Sequence, residues 1–96
     1  MDEFQFLDLV ELGKRIKTIR IHLLELSQED FATIINATQV QVSKLEKGIG
    51  LTTSMLLNIV NYLNNNGYKG CMLLDAQFNI ENLYSNSFES QIFMES

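Results

Sequence analysis

Gln39, Val40, Ser43 and Lys44 place an amide, a methyl-bearing side chain, a hydroxyl and a cation within one short stretch of the chain. Their spacing is helical. With Gln39 set at 0° and about 100° per residue, Ser43, Val40 and Lys44 fall at about 40°, 100° and 140°, while Val42 and Leu45 fall at about 300° and 240°. Val42 and Leu45 define a core direction, so the opposite face carries glutamine, valine, serine and lysine and no acid. This set has the reach and chemistry of base-edge recognition. A glutamine amide can pair with adenine through two bonds, a lysine can bond guanine acceptors, and a valine can touch a thymine methyl. A plain solvated face would more typically offer glutamate–lysine pairs at four-residue spacing. A face without acids suits a surface that meets phosphate. Single exposed apolar side chains are common, so Val40 counts only as part of the set.

The elements that must position these four residues are written in caps, because the chain has no proline and few glycines. Thr38 caps the helix that carries them, with Gln41 as its capping-box partner, and Gly48 ends it. The preceding helix starts at Ser27, whose hydroxyl can accept from the Asp30 amide, with Glu29 and Asp30 at its positive end. Phe31, Ala32 and Ile35 are its buried face, and Asn36 ends it, since asparagine tolerates left-handed backbone angles. A first helix begins near Asp8, paired with Glu11 in a capping box and with Leu7 stapled onto Leu12. Its apolar stripe is Leu9, Leu12, Ile16, Ile19 and Leu23, with Lys14, Arg15 and Lys17 mostly away from it. Thr52 or Thr53 caps a fourth helix that buries Met55, Leu56, Ile59, Val60 and Leu63 and ends at "NNNG", residues 64–67. The run "GCMLLDA", residues 70–76, is short, apolar and bounded by a glycine and a polar turn, which predicts a buried β-strand. "FNIENLY", residues 78–84, reads equally as strand or helical turn, and "SNSFESQIFMES" as a flexible tail. The expected organisation is a mainly α DNA-facing domain over 8–66, a strand extension over 67–84 and the tail over 85–96.

Ninety-six residues suffice for one small domain with a modest core. The net charge of −5 argues against a generic nucleic-acid binder, but the charges are segregated. Lys14, Arg15, Lys17, Arg20, Lys44 and Lys47 lie in one third of the chain, against Glu25, Glu29, Asp30 and Glu46 there. The remaining acids lie outside it, with Lys69 the only other base. An acidic N-terminus, "MDEFQF", lacks the positive start of a secretory signal, and no apolar run reaches membrane-spanning length. Cys71 alone can make neither an internal disulfide nor a metal site and reads as a small buried hydrophobe. A reduced, cytoplasmic protein is expected. One histidine, one cysteine and no glycine-rich phosphate loop or carboxylate pair give no catalytic residues, no metal site and no cofactor. His22 reads as a surface loop residue.

Residues 12–63, through "LGKRIKTIR", "LSQEDFATIINATQVQVSKLEKG" and "TTSMLLNIVNYL", resemble the helix-turn-helix domain of phage-repressor and Xre-type regulators. The serine–glutamine start, the phenylalanine–alanine pair, the threonine cap and "SKLEKG" all fall in that family's register. The resemblance implies a lambda-repressor-like bundle of four to five helices with the third docked in the major groove. It implies that Gln39, Val40, Ser43 and Lys44 read bases and that Gln28, Thr38 and Lys47 hold phosphate, aided by a helix N-terminus. It also implies a structural ion pair between Arg20 and Glu46, which removes Glu46 from the charges that would repel DNA. The chain departs from the family's pattern in three places: Asn36 stands where a turn glycine is usual, "IHLLEL" is one residue longer and lacks the glycine, and no proline follows Gly48.

"NIVNYLNNNGYKGCMLLDAQ" resembles, over a short span, the helix-to-strand end of Hip-type antitoxins, whose strand pairs across a dimer. A lone strand cannot satisfy its own backbone. Cys71, Met72, Leu73 and Leu74 are therefore expected to pair with a symmetry mate, a hairpin with residues 78–81 being the monomeric alternative. The expected function is a dimeric transcriptional repressor of its own operon on a palindromic operator in double-stranded DNA. Antitoxin, phage repressor and restriction controller are the competing subclasses. The antitoxin subclass is favoured, and a toxin protein would then engage the tail through Phe88, Ile92 and Phe93. The alternative is a protein-interaction module of the same fold that neutralises a toxin without strong DNA binding.

Overall fold

The computed structural model describes residues 7–84. The tail over 85–96, with its expected toxin contacts, and the "MDEFQF" start lie outside the described residues. Asp8 has extended backbone angles and its carboxylate accepts from the Glu11 amide at 2.8 Å, starting α1, Leu9–Thr18. Leu12 and Ile16 turn inward. Leu9, expected in the stripe, lies at the rim and is exposed, because the core begins one turn further along. The helix does not stop at Thr18 but widens into a π-helical turn, Ile19–Leu23, in which the Leu24 amide reaches back to the Ile19 carbonyl at 2.9 Å. A wide turn of this kind absorbs one extra residue, which accounts for the longer connection. Glu25 follows with φ of 56°, taking a left-handed angle without a glycine.

Ser27 caps α2, Gln28–Ile34, and accepts from the Asp30 amide at 3.0 Å. Asn36 turns the chain with φ of 59°. Thr38 then starts α3, Gln39–Leu45, with both bonds of the capping box in place: its hydroxyl accepts from the Gln41 amide, and its own amide donates to the Gln41 side chain. Gly48 closes the end of α3 with φ of +90° against Val10. Thr52 caps α4, Thr53–Asn65, which buries Met55, Ile59 and Leu63. The Asn58 side chain donates to the Ile35 carbonyl at 3.0 Å and ties the α2–α3 turn to α4.

The core is one cluster. Phe31, Ile16, Ile19, Ile35, Val42, Leu45, Ile59 and Leu63 are fully buried at its centre. At about 25 cal/mol per Å² of apolar surface removed from water, such side chains supply most of the stabilisation. Gly13 brings α1 against the last carbonyls of α3: a side chain there would collide with the Leu45 and Glu46 backbone. This close approach fixes the end of α3 against α1.

The C-terminal part corrects the expectation of a strand. No strand occurs among the described residues; Gly70–Leu74 is a 3₁₀ helix, and Ile80–Leu83 is a second one. Only a single antiparallel bridge, Tyr68 to Tyr84, joins the two ends, with the tyrosine rings edge-on at 5.7 Å. The reason lies in Arg15. Its guanidinium donates to the Leu73 and Asp75 carbonyls, each at 2.8 Å, and stacks 4.9 Å from the Phe78 ring. Carbonyls that a strand would offer to a neighbour are taken from within the chain. Gly70 packs so closely on the Val60 carbonyl that a Cβ would collide with it, and Leu73 and Leu83 complete the core. Arg15, expected on the polar side of α1, is therefore buried.

Candidate nucleic-acid interface

The face of α3 opposite Val42 and Leu45 is open. Gln39, Val40 and Lys44 are exposed, Val40 at 57%, and Ser43 is half-buried, whereas Val42 and Leu45 are fully buried. The wheel and the observed burial agree at these positions. An exposed β-branched apolar residue stands between an amide and an ammonium, with the hydroxyl beside them. The rotation of α3 is set from three sides: Val42 and Leu45 in the core, Gly13 against its last turn, and the Thr38 cap at its start.

Below this face lies a buried polar network. Arg20 Nε donates to Glu46 Oε2 at 2.6 Å and Nη2 to Glu46 Oε1 at 3.2 Å, the two side chains being 9% and 3% exposed. Arg20 Nη1 also donates to the Leu26 carbonyl at 2.9 Å. Glu46 thus faces inward, and its charge is matched at the end of α3. Arg20 reaches it from within the π-helical turn.

Gln28, at the start of α2, is held by two partners. Its Nε2 donates to Glu46 Oε1 at 3.0 Å, and its Oε1 accepts from Gln39 Nε2 at 2.6 Å. Thr38 is exposed, and while its oxygen accepts from the Gln41 amide its hydroxyl hydrogen remains available to donate. Lys47 is exposed in the turn after α3. The structure therefore gathers Gln28, Thr38, Gln39, Val40, Ser43, Lys44 and Lys47 around one two-helix unit. It does not gather the expected dimerisation set on one surface: Cys71 and Leu74 are exposed and Met72 half-buried, but Leu73 is fully buried in its own core. Sequence reasoning missed the Gln28–Gln39 bond, the Gln28–Glu46 bond and the Arg15 clamp. The eleven-residue spacing of the two glutamines was the only signal for the first.

Among the described residues, no group of three or more histidines, cysteines or acids is arranged to hold a metal ion, and no helix is long and apolar enough to cross a membrane. The described surface offers hydrogen-bond donors and acceptors, two lysines and a methyl-bearing side chain on α3 and the turn that follows it.

Comparison with protein families matches the helix-turn-helix family model to residues 16–66, more than half of the chain, from the last turn of α1 to the residue after α4. No curated protein and no solved structure matches the chain significantly.

Proposed function

The chain belongs to the helix-turn-helix family, and on that footing we propose that it is a sequence-specific transcriptional regulator that lays α3 in the major groove of double-stranded DNA. The observation that carries this reading is the exposed, acid-free face of α3, held in fixed rotation above a neutralised buried pair. Gln39, Val40, Ser43 and Lys44 contact base edges. Gln28, through its second amide hydrogen, Thr38, through its hydroxyl, and Lys47 contact the flanking phosphates and set the register. The protein acts in the cytoplasm as a homodimer on a palindromic operator, with its two recognition helices about one DNA turn, 34–36 Å, apart. Because residues 70–74 form a 3₁₀ helix, exposed Leu74 is the large apolar side chain that this segment offers to a second copy. Repression of its own operon follows if the operator overlaps its own promoter, and an antitoxin role follows if a toxin gene is its neighbour.

The test is a mobility shift on the region upstream of its own gene. The wild type binds a palindrome there at low salt, and Gln39→Ala and Lys44→Ala each lose specific binding on the order of tenfold. Failure to bind any palindrome from that region at low salt defeats the proposal. The net charge of −5 favours a second reading, a module of the same fold that neutralises a toxin without strong DNA binding. That reading requires co-purification with the neighbouring gene's product and no DNA binding.

A further inference from the structure

The "NNNG" stretch, residues 64–67, ends α4 and takes no part in the α3 face. It carries a chemistry of its own. Of the chain's asparagines, only Asn66 is followed by a glycine. An asparagine in that setting can react with its own backbone. The next amide nitrogen, having lost its proton to water, attacks the side-chain carbonyl carbon, and the side-chain nitrogen leaves as ammonia. Water then opens the resulting cyclic imide at either of its carbonyls. Opening at the side-chain carbonyl gives aspartate. Opening at the main-chain carbonyl gives isoaspartate, in which the backbone runs through the side-chain carbon. In sum, water is consumed and ammonia released, with no redox partner. Glycine favours the attack because no side chain shields its nitrogen.

Asn66 and Gly67 are both exposed, and nothing lies within 4 Å of where a Gly67 side chain would stand, so water reaches the site. The reacting groups are nevertheless held. Asn66 is the C-cap of α4, with φ of −106° and ψ of 18°, and its Nδ2 donates to the Tyr62 carbonyl at 2.8 Å. The Gly67 amide donates to the Asn64 carbonyl at 3.2 Å, and the Tyr68 amide to the Leu63 carbonyl at 2.9 Å. Bringing the Gly67 nitrogen onto the Asn66 side chain requires the peptide between them to turn, which breaks these bonds and drags Tyr68. Tyr68 is held by its bridge to Tyr84, and Lys69 by its bond to the Leu83 carbonyl, within the layer that Arg15 fastens.

We propose that Asn66 is a site of spontaneous deamidation gated by the C-terminal layer, and that its conversion to isoaspartate unfastens that layer irreversibly. The product does not fit the cap. Its carboxylate replaces the Nδ2 donor opposite the Tyr62 carbonyl and adds negative charge at the negative end of a helix dipole. The extra backbone carbon moves the Tyr68 amide away from the Leu63 carbonyl. Residues 68–84 lose their hold, while α2 and α3, whose side-chain bonds do not involve this turn, stay folded.

The test ages the full chain in mildly alkaline buffer and follows it by peptide mass mapping. Wild type, Arg15→Met, Asn66→Gln and wild type unfolded in guanidinium chloride are compared. Wild type gains the mass of an amide-to-acid conversion at Asn66, isoaspartate exceeding aspartate, with ammonia released in step. Arg15→Met converts faster, on the order of tenfold, because the reaction follows the population of the opened turn. The unfolded chain converts faster again. Asn66→Gln, whose imide ring would have to be one atom larger, gains nothing at that position. Ion exchange separates the aged wild type by its added charge. In it, amide hydrogen exchange accelerates at Tyr68, Lys69 and Met72 and is unchanged in α3. Conversion at Asn66 no faster than at Asn64 or Asn65 overturns the site. Equal rates in wild type and Arg15→Met overturn the gate, and unaltered exchange at Tyr68 and Lys69 in the aged protein overturns the release.

Discussion

Glu46 is an acid at the end of a helix whose outer face carries none, and its burial decides what it does. With side chains 9% and 3% exposed, Arg20 and Glu46 lie where removing one partner strands the other charge. Such losses run to about 3–5 kcal/mol. Glu46→Ala should therefore lower the unfolding free energy by about that amount in a denaturant titration, without any DNA present. A loss under about 1 kcal/mol would mean that the pair is solvated in solution. Lys47 and Gln39 separate the two kinds of contact. Lys47→Ala should weaken binding to all duplexes alike and lower the slope of log affinity against log salt by about one per contact removed. Gln39→Ala should leave that slope alone and relax preference at one position. Identical behaviour of the two variants would refute the roles assigned to them.

The elements that carry these residues were readable wherever local chemistry decides the backbone. Asp8, Ser27, Thr38 and Thr52 each accept the amide three residues on, and each begins a helix. The Thr38 cap matters most, because Gln39 follows it directly. Thr38→Ala removes one side of a complete capping box and should cost about 1 kcal/mol, read as a lower Tm, with the start of α3 exchanging its amides faster. The π-helical turn at Ile19–Leu23 was not readable, since no local signal marks it and the Arg20 within it is bonded to a residue 26 positions away. The strand expected at 70–76 failed for a related reason. A short apolar run carries no period that separates strand from helical turn. What decides between them is Arg15, whose bonds reach 58 and 60 residues along the chain to Leu73 and Asp75. At the interface, the outward face of α3 was readable from the wheel because Val42 and Leu45 mark its buried side within the helix's own sequence. The bonds linking Gln28 to Gln39 and to Glu46 were not, because they depend on how α2 and the end of α3 meet.

For the molecule as a whole, burial redraws the charge map. Of the six bases between residues 14 and 47, Arg15 and Arg20 are buried in structural roles, so Lys14, Lys17, Lys44 and Lys47 are the ones facing solvent. An acidic chain with so few exposed cations gains little from bulk attraction to DNA, and selectivity must come from the fit of α3. The two arginines also divide the fold by task. Arg20 secures the end of α3, while Arg15 fastens residues 70–78 onto α1 and so adds Leu73 and Leu83 to the core. The family match stops at residue 66, so this fastened layer lies outside it. Arg15→Met keeps the apolar stem but strands the Leu73 carbonyl and removes the guanidinium from Phe78, a loss of about 2 kcal/mol or more. Hydrogen exchange should then accelerate at Lys69, Met72 and Asp75, whose amides are bonded within that layer. The amides of α2 and α3 should keep their protection, and affinity for a cognate duplex should stay within about threefold, since the Arg20–Glu46–Gln28 network does not touch Arg15. Equal loss of protection in α3 would show instead that the recognition helix depends on the C-terminal layer for its own stability.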